Sequence, residues 1–104
     1  MNKITPKSKL PDLLKTIREK IAKGDYVDTF HAGERKSQRK ITLPEILYVL
    51  KNGRHEKRKD RYEEQFGEWN YAIRGKTLDK RELRIIVSFD HNNMLIITAI
   101  ILDP

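Results

Sequence analysis

The first third of the chain carries apolar residues at the spacing of an α-helix. The stripe consists of Leu10, Leu13, Leu14, Ile17 and Ile21. Residues three or four positions apart lie on one face of a helix, so this spacing predicts a helical face that packs against the rest of the protein. Pro11 is tolerated in the first turn of a helix, and Gly24 can end it. We therefore predict a first helix that begins near Leu10.

A second helix is expected after a short extended connection at Tyr26–Asp28. Thr29 is a residue type that caps helix N-termini, because its side-chain oxygen can accept a hydrogen bond from a free backbone N–H group. From this cap the second helix is predicted to run to about Lys40.

The junction before residue 43 has the spacing of a capping box. Thr42 is followed three positions later by Glu45, and Ile41 and Ile46 can pack together across the helix start. A third helix is therefore predicted to begin directly after Thr42. Gly53 stands where a left-handed residue commonly ends a helix.

Beyond Gly53 the apolar residues alternate with polar ones, which is typical of β-strands. The polar stretch Arg54–Arg61 is predicted as an edge strand or a loop. Two strands follow, whose alternating residues are Trp69, Tyr71 and Ile73, and then Leu83, Ile85, Val87 and Phe89. The run Leu95–Leu102 is apolar at nearly every position, which predicts a central strand buried on both faces.

Helices that come first and hairpin-joined strands that follow predict an α+β fold. In this fold the N-terminal helices pack on one face of a mostly antiparallel sheet of three to five strands. A chain of 104 residues has enough apolar surface for one core, so one compact unit is expected.

The charge of the chain narrows the classes of partner. Twenty-two Lys and Arg against fifteen Asp and Glu give a formal net charge of +7, and a positive surface attracts polyanions such as RNA. The chain has no cysteine, which excludes disulfides and thiolate chemistry. Its first ten residues lack the apolar region of a signal peptide, and no apolar run is long enough for a membrane span. We expect a cytoplasmic protein that does not enter a membrane.

The predicted second helix carries the strongest chemical signal. His31, Arg35 and Arg39 are spaced four residues apart, so all three would lie within a sector of roughly 80°. Arginine can bind phosphate through two parallel hydrogen bonds, and histidine can transfer protons near neutral pH. In a first turn the helix dipole favours the neutral, basic form of His31. No metal-ligand pattern is present, and neither a metal nor another cofactor is expected.

A longer pattern resembles a known group of bacterial proteins. Its residues are His31, Arg35, Arg39, Ile41, Thr42, Glu45, Ile46, Val49 and Leu50, followed by Gly53, Glu56, Leu83–Val87 and Ile97–Ile100. They resemble a family of small bacterial domains of unknown function that is allied to toxins of the BrnT and RelE type. The resemblance covers about Tyr26–Leu102. It implies a RelE/BrnT-like domain over residues 26–104, with residues 1–25 as a helical extension packed on it.

The same resemblance implies a function. Its toxin relatives are metal-independent endoribonucleases that an antitoxin protein restrains, here expected to be acidic. On this basis His31 is the expected acid or base, and Arg35 and Arg39 are the expected phosphate clamp. Arg84 and Thr98 are the further candidates on the sheet.

Other basic residues could follow the backbone of a bound RNA strand. The candidates are Lys36, Lys40, Arg54 and Arg58. For each phosphate of single-stranded RNA that such residues bind, the slope of log K against the logarithm of the salt concentration becomes more negative by about 0.7.

Two other classes of function fit the same sequence. One is a non-catalytic nucleic-acid-binding module, since helices at 29–40 and 43–52 joined by a tight turn superficially resemble a helix-turn-helix. The other is an immunity or accessory protein whose basic face binds an acidic partner.

Overall fold

The computed structural model describes residues 6–33 and 40–102, which form an α+β fold. Within these residues the α-helices are α1 (Leu13–Lys23), α2 (Thr29–Ala32) and α3 (Leu43–Asn52). The strands are β1 (Tyr26–Asp28), β2 (Arg54–His55), β3 (Arg61–Glu63), β4 (Glu68–Lys76), β5 (Glu82–Phe89) and β6 (Met94–Ile101). A 3-10 turn at Lys57–Lys59 joins β2 to β3.

The strands form one sheet in the order β1-β6-β5-β4-β2, and β3 pairs with the beginning of β4. Every pair is antiparallel except β1 with β6, which is parallel. The predicted α+β class and the mostly antiparallel sheet are therefore confirmed. The sheet has six strands, one more than the predicted maximum.

The helices cover one face of this sheet, as predicted. α3 packs on β4 and β5, and α1 packs on α3. The largest fully buried side chains include Ile17, Ile46, Leu50, Ile73, Leu83, Ile85 and Ile96. Because α1 contributes Ile17 to the same core as the strands, α1 of the predicted extension shares the core of the domain.

The first helix begins later than its apolar stripe suggests. Asp12 precedes α1 with a left-handed backbone (φ 48°), which no regular helix continues through. Leu10 therefore lies outside the helix, and 39% of it is exposed. The predicted stop at Gly24 is confirmed, since its φ of 73° is readily adopted by glycine and its N–H bonds to the Ile21 carbonyl.

The capping box of α3 is confirmed, but the role of Gly53 is different from the prediction. The Thr42 side chain accepts a hydrogen bond from the Glu45 N–H, and the Glu45 side chain accepts one from the Thr42 N–H. Gly53 has an extended backbone (φ −83°, ψ −172°) instead of a left-handed one. A Cβ there would lie 2.6 Å from the carbonyl oxygens of Arg74 and Val49. Glycine is needed because α3 ends against the backbone of β4.

The second helix is much shorter than predicted. α2 ends at Ala32, and Gly33 follows it as the C-cap. Its N-cap is Asp28 and not Thr29, because the Asp28 carboxylate accepts a hydrogen bond from the His31 N–H. The Thr29 hydroxyl instead donates to the Ile96 carbonyl at 2.6 Å, so tertiary contact with β6 overrides the expected cap. The described residues therefore do not contain the long first helix that the helix-turn-helix interpretation requires.

The apolar strand near the end of the chain is buried on one face only. In β6, Met94 and Ile96 are fully buried, but Ile97 and Ile100 remain 38% and 42% exposed. The prediction of burial on both faces was wrong because the described helices cover only one side of the sheet. We call the uncovered side the outer face.

Candidate nucleic-acid interface

The strand register arranges residues of the outer face in two neighbouring rows, one of which carries three arginines. Arg54 pairs with Arg74, Arg74 with Arg84, and Arg84 with Ile100, so one row crosses four strands. The next row contains Ala72, Ile86 and Thr98, and the N–H of Glu56 bonds to the Ala72 carbonyl at its end. Two predicted site residues, Arg84 and Thr98, thus lie in neighbouring rows of one face.

Glu56 holds the two central arginines of this face. One carboxylate oxygen, Oε1, accepts from Nε of Arg84 at 2.7 Å, and Oε2 accepts from Nη2 of Arg84 at 3.1 Å. Oε2 also lies 3.3 Å from Nη1 of Arg74, whose Nε donates to Glu82 at 2.5 Å. Because both guanidinium groups are fixed through their Nε and one Nη atom, their planes have a defined orientation.

The electrostatics of this cluster keep Glu56 ionised. The hydrogen bonds from Arg84, with those from Arg74, lower the pKa of Glu56 from 4.5 to about 2, and burial opposes the shift only in part. The contact with Glu56 also raises the pKa of Arg84, whereas the pKa of Arg74 is raised first by its hydrogen bond to Glu82 and then by that to Glu56. A carboxylate this acidic is a weak proton acceptor at neutral pH, so Glu56 acts as an anchor for the arginines.

A strongly basic edge borders the row of arginines. The 3-10 turn consists of Lys57, Arg58 and Lys59, all exposed, and it lies between the exposed residues Arg54 and Arg61. The predicted RNA-binding residues Arg54 and Arg58 are therefore close in the chain and open to solvent. Lys40 is also exposed, near α3, where its carbonyl accepts from Nη1 of Arg81 at 3.0 Å. Lys36 lies outside the described residues.

A cavity of about 300 Å³ opens on the outer face beside Arg84. Its lining residues are Lys59, Arg61, Asn70, Arg84, Ile86 and Ile100. Apolar side chains, cations and one amide therefore meet in a single depression next to the fixed guanidinium group.

His31 is held at the junction of β1 and α2. Its Nδ1 lies 2.6 Å from the Asp28 carboxylate, and its Nε2 lies 2.6 Å from the Ile41 carbonyl oxygen. Both partners only accept hydrogen bonds, so a ring nitrogen that carries a proton can donate it to its partner. The side chain is 29% exposed and so remains within reach of a ligand.

The structure does not show the predicted face of three residues on one helix. α2 ends one residue after His31, and Arg35 and Arg39 lie outside the described residues. Because Asp28 pairs with Ile96 of β6, His31 is tied to the β1 edge, two strands from Arg84 in the sheet order.

Sequence reasoning did not identify a second histidine pair, on the covered side of the sheet. Nε2 of His55 lies 2.7 Å from the Asp60 carboxylate, whose side chain is fully buried. Asp60 also accepts from the Ala72 N–H and pairs with Lys9, both at 2.9 Å. No spacing in the sequence indicated this pair, since it forms only when the 3-10 turn folds back against β4.

Arg74 and the anchoring role of Glu56 were also missed, although Glu56 belongs to the pattern that carries the family resemblance. An available signal was the alternation of Arg74 and Arg84 with inward apolar residues. It places both arginines on the uncovered side of their strands.

Within residues 6–33 and 40–102, no three His, Asp or Glu side chains are grouped as metal ligands. None of the helices in the same residues has the length and apolar composition needed to cross a membrane.

Comparisons with known proteins place the chain in a family without assigning its chemistry. No curated protein and no solved structure matches it. A family model described as a domain of unknown function, DUF4258, matches residues 29–101. The match runs from α2 through β6 and includes His31, Glu56, Arg84 and Thr98. It leaves α1 outside, as the sequence resemblance did. The chain therefore belongs to the DUF4258 family.

Proposed function

We propose that this protein binds RNA across the outer face of its sheet and cleaves it as a metal-independent, toxin-like endoribonuclease. The observation that carries the proposal is the pair of partly exposed guanidinium groups of Arg74 and Arg84, which Glu56 orients on the outer face beside the basic 3-10 turn. Nη1 of Arg84 and Nη2 of Arg74 have no hydrogen-bond partner among the described residues. These N–H groups are therefore free to bind phosphate oxygens.

The chemistry of RNA cleavage matches these groups. The 2′-hydroxyl gives its proton to solvent and its oxygen attacks phosphorus. The bond from phosphorus to the 5′-oxygen then breaks as that oxygen gains a proton, which leaves a 2′,3′-cyclic phosphate. Negative charge builds on the phosphate between these steps, and fixed cations stabilise it. We assign that stabilisation to Arg84 and Arg74, aided by Arg35 and Arg39 on the basis of the family resemblance.

His31 is the proposed acid of this reaction. Asp28 orients the ring through Nδ1, and the proton on Nε2 is transferred to the leaving 5′-oxygen when that oxygen replaces the Ile41 carbonyl as its partner. The hydroxyl of Thr98, in the row beside Arg84, is proposed to bind a phosphate oxygen.

The test is degradation of total RNA by purified protein in the presence of EDTA. We expect the intact protein to produce fragments, and expect His31→Ala and Arg84→Ala to reduce the rate by at least about 100-fold, as loss of a proton donor or an oriented charge does. Lys23→Ala is the matched control, because it removes one exposed positive charge at the end of α1. Equal cleavage by His31→Ala and the intact protein would show that the imidazole is not the acid.

A second candidate is a non-catalytic RNA-binding module. It is favoured by the same two hydrogen bonds of His31, because both ring nitrogens already have partners in the protein. Intact RNA that is retained in a salt-dependent manner, with Arg84→Ala weakening retention, would support this candidate and contradict the endoribonuclease.

An acidic antitoxin is the proposed protein partner. This chain has a formal net charge of +7. A partner protein that covers the outer face therefore needs carboxylates opposite the arginines of that face. We expect the partner to compete with RNA for binding to this protein. We expect that competition to weaken at high salt.

A further inference from the structure

The cavity beside Arg84 has the chemistry of a site for a nucleobase. Ile86 and Ile100 supply apolar surface on which a planar ring can lie, and both face out from the sheet. Its volume of about 300 Å³ leaves room for a purine ring system. A phosphate alone would not use this apolar surface, whereas a base next to a bound phosphate would.

The polar groups of the cavity are mostly donors. Arg61, Lys59 and Arg84 carry only N–H groups, whereas the side-chain amide of Asn70 has both a donor and an acceptor. The Asn70 amide makes no hydrogen bond with the described residues. It stands opposite Arg61 in the pairing of β3 with β4, so amide and guanidinium project from neighbouring positions.

Guanine matches this set better than adenine, and also better than uracil, whose O4 and N3–H resemble O6 and N1–H of guanine but which has no second acceptor beside O4 for the other N–H of a guanidinium group. Its O6 and N7 atoms are adjacent acceptors, which suit a guanidinium group, and its N1–H is a donor that suits the Asn70 oxygen. Adenine would instead place its N6 amino group against the cations. A single-stranded region presents its base edges freely, so they can enter a surface cavity of this kind.

We propose that this cavity is a guanine subsite in which Asn70 and Arg61 recognise the base edge, next to a phosphate held by Arg84. This inference rests on the proposed RNA function and adds a sequence preference to it. Cleavage or binding then occurs preferentially where a guanine lies beside the phosphate that Arg84 contacts.

The experiment measures binding of four hexanucleotides by fluorescence anisotropy at one fixed salt concentration. The oligonucleotides are hexauridine and its derivatives with one central guanosine, adenosine or cytidine. We expect the guanosine oligonucleotide to bind about tenfold more tightly than the others, as one good base contact provides.

Two variants of Asn70 test the contact itself. Asn70→Leu keeps a side chain of similar size without polar atoms, and it is expected to abolish the preference while hexauridine binding stays within about twofold. Asn70→Asp offers two acceptor oxygens to N1–H and N2–H of guanine, so it retains the preference even though its added negative charge weakens binding of all four oligonucleotides. Thermal unfolding confirms that both variants are folded.

The results of these binding measurements distinguish failure of the guanine subsite from failure of the proposed RNA function. Equal binding of all four oligonucleotides, or a preference that survives Asn70→Leu unchanged, overturns the guanine subsite and leaves RNA binding intact. Failure to bind any oligonucleotide overturns both proposals.

Discussion

Glu56 and Arg84 are joined by two hydrogen bonds across the outer face, although β4 lies between β2 and β5 in the sheet. Arg74 of β4 lies beside Arg84 in its row, and the same Glu56 carboxylate also contacts Arg74. The contact therefore links four elements: β2, the 3-10 turn, β4 and β5. It supports the fold and orients the proposed phosphate-binding group at once.

The first prediction concerns the pH dependence of stability. Because folding lowers the pKa of Glu56 from 4.5 to about 2, its ionised form stabilises the protein at every pH above the unfolded value. This contribution, about 2–3 kcal/mol, is lost as the pH falls from about 5 towards 2. Urea unfolding of the intact protein and Glu56→Gln should show that difference at pH 7 and a shrinking one below pH 4.5.

Glu64→Gln is the control for this measurement, because Glu64 is exposed in the turn before β4. A difference for Glu56→Gln that stays constant from pH 7 to pH 2.5, tracking no carboxylate titration, would contradict an ionic origin.

The second prediction concerns Asp60. Its buried carboxylate has His55, Lys9 and the Ala72 N–H as partners, and Asp60→Ala would leave all three without their acceptor. We expect the free energy of unfolding to fall by about 3 kcal/mol, as it does when one member of a buried ion pair is removed. Chemical denaturation measures the loss, and a loss below about 1 kcal/mol would show that water replaces the carboxylate.

The third prediction separates two roles of glycine. Gly53→Ala forces a methyl group to within 2.6 Å of two carbonyl oxygens and must push α3 away from β4. We expect it to cost about 2 kcal/mol or more. Gly24→Ala places its methyl in open space but keeps an unfavourable positive φ, so it should cost about 1 kcal/mol. Thermal unfolding in which Gly24→Ala is the more damaging change would refute the steric argument.

The fourth prediction tests the start of α3. Thr42→Ala removes the acceptor for the Glu45 N–H and is expected to destabilise the protein by about 1 kcal/mol. Thr42→Ser keeps the hydroxyl and should remain within about 0.5 kcal/mol of the intact protein. If both variants lose equal stability in urea unfolding, the methyl group of Thr42 matters and the cap does not.

Features that depend on local sequence could be predicted, and features that depend on distant contacts could not. The α3 cap was readable because Thr42 and Glu45 act on each other within one turn. The cap of α2 was assigned one residue too late, because the Thr29 hydroxyl is used by Ile96 far along the chain. The burial of β6 was overestimated because its sequence does not reveal that only one face receives helices.

The same distinction between local sequence and distant contacts applies to the candidate site. Period-two alternation was enough to place Arg84 on one face of its strand, but the pairing of Arg84 with Arg74 depends on register between strands. The capture of both by Glu56 depends in addition on the path of β2, which the polar stretch after Gly53 did not specify. The predicted alignment of His31 with Arg35 and Arg39 required an uninterrupted helix, and α2 ends at Ala32.

The pairing of β1 with β6 has a consequence for the order in which the protein assembles during synthesis. Tyr26 pairs with Met94, and Asp28, the acceptor for His31, lies in the same short strand. On the ribosome, β1 emerges long before its partner strand, so its place in the sheet stays open while the intervening chain is translated. The His31 end of the proposed active site is therefore completed only after β6 has emerged. A nascent chain that stalls before that point carries the arginines of β4 and β5 without the strand that holds β1, and with it Asp28, in the sheet.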